Sequence, residues 1–301
     1  LLIKKKYKNP IVLMPSTLCV SPSNIFTTLK IKIKYVDVDI KTGLIDQNKL
    51  KKILENNKIN VLFYANLFGN LDDEKFYQKL KNKNILIIQD LAQTFISFNK
   101  KFNNKNLFGD VILLSFGYSK IFDIGKGAIL LTNNNEIDKF LKKNTKYKKL
   151  KITQKEKYYK MYLNWYHFNF SKNKKIILKD VSNFSKNLYL LNFSPDLYKN
   201  IYEKIINLSY EEKRRNNLLK FYRSIFVSPK IKILHSKKTL IPWRFCFRVK
   251  KNKSIILQNL RKNHFDASSY YLSLSYKKVQ NSMKIENEVI NLWLTEKINK
   301  I

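Results

Sequence analysis

The chain has 301 residues, 44% of them hydrophobic, which is enough to bury a sizeable core and excludes global disorder; no apolar run approaches the ~18 residues of a membrane helix. The formal charge of +37 comes from 59 Lys and Arg against 22 Asp and Glu, spread along the chain and carried mostly by Lys beside abundant Asn and Ile, as an AT-rich coding sequence would give; a patch for nucleic acid would be clustered. Cys19 and Cys246 stand far apart and His167, His235 and His264 are scattered, which excludes a disulfide framework and a metal-ligand set and suits the cytoplasm.

The predicted elements alternate strand and helix through the first half. Leu1-Leu2-Ile3 followed by Lys4-Lys5-Lys6 is no signal peptide, because no apolar stretch or cleavage site follows the charges. Ile11 to Met14 is a short buried strand ended by Pro15, and Ile33 to Asp39 alternates as a strand does. Asp46 can cap a helix over Gln47 to Glu55 with Leu50, Ile53 and Leu54 on one face. Val61 to Tyr64 is the next strand, and a helix opening on Asp72-Asp73-Glu74 runs to about Lys81. The runs Ile85 to Ile88, Val111 to Leu114 and Ala128 to Leu131 are three more strands. Continuously apolar strands separated by helices predict an α/β fold around a central, mostly parallel sheet.

From Lys143 to Lys160 no clean period appears. A long helix is then predicted from about Tyr198 to Tyr222, with Tyr210 to Arg215 as a solvated face. Trp243 to Val249 is a strand, and Lys253 to Asn263 an amphipathic helix. The expected organisation is a large cofactor-binding domain over 1–150, an irregular connection over 151–195 and a small α+β domain over 196–301. The start of the Trp243-Arg244-Phe245 strand is expected to pack in the core with Arg244 at the surface, although it could face a substrate. Ser268 to Tyr271 could line the cleft or form an ordinary polar loop.

Functional groups of open parallel sheets gather at the carboxyl ends of the strands. Asp90 follows an apolar strand, where a carboxylate is costly without a partner. A protonated pyridine nitrogen is one such partner; capping the following helix is the other reading. Lys120 follows another strand and the polar turn Ser115 to Ser119, where a lysine can form an imine with an aldehyde cofactor. In a chain so rich in lysine, neither residue is diagnostic alone.

The ordered set is more specific. Gln89-Asp90-Leu91-Ala92-Gln93 is followed by Gly109-Asp110, Ser115-Phe116, Lys120, Gly125-Lys126-Gly127-Ala128 and Leu131-Thr132-Asn133. Upstream stand Met14-Pro15-Ser16-Thr17, Tyr35 to Asp39 and Asn66-Leu67-Phe68-Gly69. In this order they resemble the DegT/StrS family of pyridoxal-phosphate-dependent nucleotide-sugar aminotransferases. The resemblance covers residues 10 to 135 well and weakens toward Val289 to Trp293. It implies a fold-type-I transferase in which Lys120 forms the internal aldimine and moves the proton, while Asp90 keeps the pyridine nitrogen protonated. It further implies that Gln93 bonds the phenolic oxygen, Ser115 the phosphate, and Asn192 the neighbouring subunit's phosphate in a homodimer. Related dehydratases have histidine at the lysine position, so Lys120 argues for amino transfer to a keto group of a nucleotide-linked sugar, with glutamate as donor.

Departures from the family pattern qualify the expectation. Cys19 stands where the family often stacks an aromatic ring on the cofactor, Asn66 where a histidine is common, and Lys126 within the Gly-rich turn. The family's Gly-Thr phosphate loop would lie upstream of Pro15-Ser16, so the chain is expected to be a piece of a longer one. A catalytically impaired or regulatory homologue and a basic nucleic-acid-binding protein are the alternative readings.

Overall fold

The computed structural model describes residues 1–81, 83–96, 107–117, 119–125, 127–144, 196–235, 241–269, 271–275 and 279–294. Six strands form one sheet: β1 (Ile11–Pro15), β2 (Lys32–Val36), β3 (Val61–Ala65), β4 (Leu86–Asp90), β5 (Val111–Ser115) and β6 (Ala128–Leu131), in the order β2-β1-β3-β4-β5-β6. All neighbours run parallel except β6, which returns antiparallel to β5. β1, β3 and β4 are central, and every residue of β3 is buried, as a strand covered on both faces requires; the equally apolar run of β6 is instead the edge of the sheet, with Leu130 and Leu131 exposed.

The helices of this half are α1 (Leu2–Lys6), α2 (Val20–Thr28), α3 (Gln47–Asn56), α4 (Glu74–Lys81) and α5 (Asn135–Asn144). Asp46 caps α3 as expected, its carboxylate accepting from the backbone N–H of Asn48 at 3.0 Å and of Lys49 at 3.1 Å.

The later half contains α6 (Asp196–Ile205), α7 (Leu208–Ile225), α8 (Lys253–Lys262) and α9 (Gln280–Glu288). Its strands β7 (Ile231–Ile233), β8 (Arg244–Val249), β9 (Ala267–Ser268) and β10 (Val289–Trp293) form an antiparallel sheet in the order β7-β8-β10-β9. Leu218, Leu219 and Tyr222 of α7 pack on Phe245, Phe247, Ile290 and Leu292 of this sheet.

Two sequence expectations are corrected here. The single helix from Tyr198 to Tyr222 is two, broken at Ile206 and Asn207, where the Asn207 amide donates to the Glu203 carbonyl at 3.2 Å and competes with the helical pattern. The solvated face is not solvated throughout: Arg214 and Arg215 are buried, each paired with Glu211, at 2.6 and 2.5 Å. The irregular stretch 151–195 lies outside the described residues.

One apolar cluster joins the two halves, running from Leu13, Leu62 and Ile87 under the large sheet to Trp243, Tyr271 and Ile285. It brings the segments before β8 and after β9 against the carboxyl ends of the parallel strands. Among the described residues no helix is long and apolar enough to cross a membrane, and no group of three or more His, Cys, Asp or Glu could hold a metal ion.

Candidate active site

A narrow cleft lies at the carboxyl ends of the parallel strands. Cys19, Asn66, Asp90, Gln93 and Lys120 line it, with Leu18, Ala65, Leu67 and Ala92 as its apolar wall. Asp90 is the last residue of β4 and only 7% exposed. One of its oxygens accepts from the Ala92 N–H at 2.8 Å within a turn; residues 91–96 form no helix, so the expected capping of a following helix does not occur. The other takes no hydrogen bond from the described residues. Burial pushes the Asp90 carboxyl above its ordinary range, and the Lys120 ammonium pulls it back toward ionisation.

Lys120 is half-buried in the turn that leaves β5. That turn is tied at several points. The Lys120 N–H reaches the Gly117 carbonyl at 3.3 Å and the Ile124 N–H the Phe116 carbonyl at 3.0 Å. The Asp123 carboxylate accepts from Ser119 N–H at 2.7 Å and Gly125 N–H at 2.8 Å. Gly127 has φ +92 and passes so close to α6 that a Cβ there would stand 2.6 Å from a methyl of Leu197. This explains glycine at that point without reference to a ligand.

Gln93 is buried beside Asp90. Its oxygen accepts from Phe68 N–H at 2.8 Å and its amide donates to the Tyr271 hydroxyl. The amide carries a second proton that can be offered to the cleft. Tyr271 packs against Phe68 and Trp243, and burial holds its hydroxyl well above the usual phenol range. Asn66 is also committed, donating to the Asn70 carbonyl at 2.9 Å and accepting from the Gln89 amide at 3.0 Å. Gln89 in turn accepts from Phe108 N–H at 3.0 Å and Gly109 N–H at 3.1 Å.

The structure therefore brings together five of the residues singled out from the sequence: Cys19, Asn66, Asp90, Gln93 and Lys120. Cys19 precedes α2 and its thiol lies 3.5 Å from the Ser21 hydroxyl. Ser115 ends β5 outside the residues lining the cleft, its hydroxyl 3.4 Å from the Gly117 N–H. Asn192 and Lys126 lie outside the described residues. Arg244 corrects an expectation, being 2% exposed and not at the surface. Its guanidinium is stacked between Trp243 and Trp293, at 3.9 and 3.8 Å from their ring centroids, and reaches the Ser268 hydroxyl at 2.7 Å. The two tryptophans were the available sign of that burial, but nothing in the spacing links Trp293 to Arg244.

Comparison with known proteins bears on the chain's family and fold. The model of the DegT/DnrJ/EryC1/StrS aminotransferase family matches residues 3–300. GDP-perosamine synthase of Escherichia coli O157:H7 is 26% identical over 106 residues, which is 34% of this chain and 28% of the length of that relative. The structure of E. coli GDP-4-keto-6-deoxy-D-mannose-3-dehydratase with bound hydrated PLP superposes with a TM-score of 0.67 at 16% identity, covering 98% of this chain and 78% of that one. PseC of Helicobacter pylori, an aminotransferase involved in pseudoaminic acid biosynthesis, gives 0.67 at 14% identity, with 96% and 76% covered. At such identities the likeness carries the fold, which is that of the fold-type-I transferases. The chain belongs to the DegT/DnrJ/EryC1/StrS aminotransferase family.

Proposed function

We propose that the chain is a pyridoxal-phosphate-dependent enzyme that transfers an amino group, with glutamate as donor, to a keto group of a nucleotide-linked sugar. The observation that carries this reading is Asp90 and Lys120 facing one cleft at the strand ends. The donor set suits the ring of the cofactor. A buried carboxylate with one oxygen not engaged by the described residues matches a protonated pyridine nitrogen, which would offset the cost of burying it. When bound, pyridoxal phosphate supplies an electron sink for the carbon that gains or loses nitrogen.

The chain's own residues would do the rest. Lys120 holds the cofactor through Nζ and carries the proton at that atom; a lysine here, not a histidine, favours amino transfer over the related dehydration. Asp90 accepts from the ring nitrogen, and Gln93 offers its second amide proton to the phenolic oxygen. Ser115 serves the phosphate, and Asn192 the phosphate of the partner subunit in a homodimer. Cys19 is the wall residue beside the ring. The division into 1–150, 151–195 and 196–301 and a cytoplasmic location belong to the same reading. The relatives named for GDP-linked sugars support a nucleotide sugar as substrate class.

The test is spectroscopic. Protein mixed with pyridoxal phosphate is expected to develop the absorption band of a lysine-bound aldehyde, and borohydride followed by peptide mapping should find the label on Lys120. Lys120→Ala should lack both. Glutamate should then discharge the band. Protein that never forms the band would refute the proposal, and a band that no amino donor discharges would favour the impaired homologue.

A further inference from the structure

The loop that carries Lys120 is gripped from outside its own half of the chain, on both sides of the lysine. On one side the indole N–H of Trp243 donates to the Ser119 carbonyl at 2.5 Å. On the other the Arg215 guanidinium reaches the Ile121 carbonyl at 3.4 Å. The two grips are joined, because Arg215 also donates to the Trp243 carbonyl at 2.8 Å and the Pro242 carbonyl at 3.2 Å. Glu211 orients Arg215 through its Nε at 2.5 Å. The Trp243 ring also lies beneath the lysine, its centroid 6.0 Å from Nζ, within cation–π range.

Ser119 shows why such a grip is needed. Its φ is +60, a left-handed conformation unusual for a non-glycine residue, and it persists only where neighbours over-determine it. Asp123 fixes the Ser119 N–H and Trp243 fixes the carbonyl, so the peptide planes around that residue are held at both ends. The lysine side chain has four carbons of free rotation beyond this point, and its backbone must be fixed for Nζ to have a defined address.

We infer that Trp243 and Arg215 are positioning residues for Lys120: they clamp the carbonyls on either side of it and set where its amine stands in the cleft. The inference rests on the reading of Lys120 as the cofactor lysine only for its consequence; the clamp itself is independent of it. Both act through the backbone of the loop; the face of the Trp243 ring under Nζ is kept in Trp243→Phe. The lysine's position is thus set by α7 and the start of β8 as much as by its own loop.

Trp243→Phe keeps a ring in place and removes the N–H, and Arg215→Lys keeps the charge and removes the fork. Hydrogen exchange of the chain without cofactor is the first arm. The amides of Ser119, Lys120, Ile124 and Gly125 should exchange about fivefold faster in Trp243→Phe, the factor for one net hydrogen bond, while those of β1 and β3 hold their rates. Arg215→Lys should raise the same amides. The second arm adds pyridoxal phosphate and reads the induced circular dichroism of its band, which reports a fixed ring and not stability. That signal should fall at least twofold in Trp243→Phe. Unchanged loop exchange in both variants would overturn the clamp. Faster exchange with an undiminished dichroic band would overturn the positioning of the lysine. Absence of any band in the wild type would instead sink the cofactor reading and leave the exchange arm to decide the clamp.

Discussion

Asp37→Asn is expected to destabilise the protein by about 2–4 kcal/mol, because one buried carboxylate caps a helix more than two hundred residues away. The sequence supplies α9 with Val279 at its N-cap, a residue that cannot cap. Asp37, after β2, takes over that role: its Oδ1 accepts from Ser282 N–H at 2.9 Å and its Oδ2 from Asn281 N–H at 3.1 Å. Oδ1 also accepts from Val38 N–H at 3.0 Å, and Oδ2 from the Lys49 ammonium at 2.6 Å. Asparagine can keep the Oδ1 contacts but turns an amide toward Asn281 N–H and Lys49. A lost hydrogen bond to a charged group costs about 1.5–3 kcal/mol. Losing the negative charge at a helix N-terminus adds about 0.3–1 kcal/mol. The Lys49 contact adds little, since the lysine side chain is 42% exposed and such pairs contribute about 0–1 kcal/mol. Urea denaturation should therefore show a lowered midpoint at unchanged slope for Asp37→Asn, and a loss under about 1 kcal/mol for Lys49→Met. Equal losses in the two variants would refute capping as the cause, and so would an Asp37→Asn protein as stable as the wild type.

Two further outcomes follow from the cleft. Asp90 has its carboxyl pushed upward by burial, so the folded protein holds that proton more tightly than the unfolded chain does. The cost of ionising it grows as pH rises from the ordinary carboxylate range to the raised folded value, and it remains above that. Asp90→Asn should therefore gain stability relative to the wild type across that window and keep the gain at neutral pH, while binding pyridoxal phosphate more weakly; a variant less stable than the wild type at neutral pH, by thermal denaturation without cofactor, would contradict this. Cys19 is half-exposed at the cleft, whereas Cys246 is buried and its thiol is pushed far up by desolvation. A thiol reagent should label Cys19 first and Cys246 only on unfolding, and pyridoxal phosphate should slow the first event; mass mapping that finds Cys246 labelled in the folded chain would count against the packing of β8.

The middle of the sheet was legible because β1, β3 and β4 are apolar almost without interruption, as burial on both faces requires; the exposure of the equally apolar edge strand β6 was not. The ordered motif was legible for a partly structural reason. Gly109 lies where a Cβ would stand 2.7 Å from Gln89, the Asp110 carboxylate accepts from Ile87 N–H at 2.7 Å, and Thr132 donates to the Asp110 carbonyl at 2.6 Å. Gly-Asp and Thr-Asn thus hold β4, β5 and β6 in register behind the cleft, and their spacing had to recur with Asp90 and Lys120. Arg214, Arg215 and Arg244 were misread because polarity in a helical or strand pattern is evidence of solvent until a buried partner is known. The partner of Asp37 was equally hidden, since an aspartate after an alternating strand carries no mark of a distant helix.

The hidden contacts share a chemistry. Asn70 donates to the Leu234 carbonyl at 2.6 Å, Thr94 to the Ile241 carbonyl at 2.9 Å, Trp243 to the Ser119 carbonyl and Arg215 to those of Ile121, Pro242 and Trp243. The acceptor in each is main chain, and a backbone carbonyl places no demand on the side chain that bears it. Contacts of this kind can join two halves of a protein firmly while leaving a sequence trace on only one side. The cleft combines both kinds. Its reactive groups are side chains at the ends of parallel strands, where identity matters and the motif is plain. Its walls are held together through carbonyls, which leave the accepting residue free while the donors Asn70, Thr94, Arg215 and Trp243 are fixed by their chemistry.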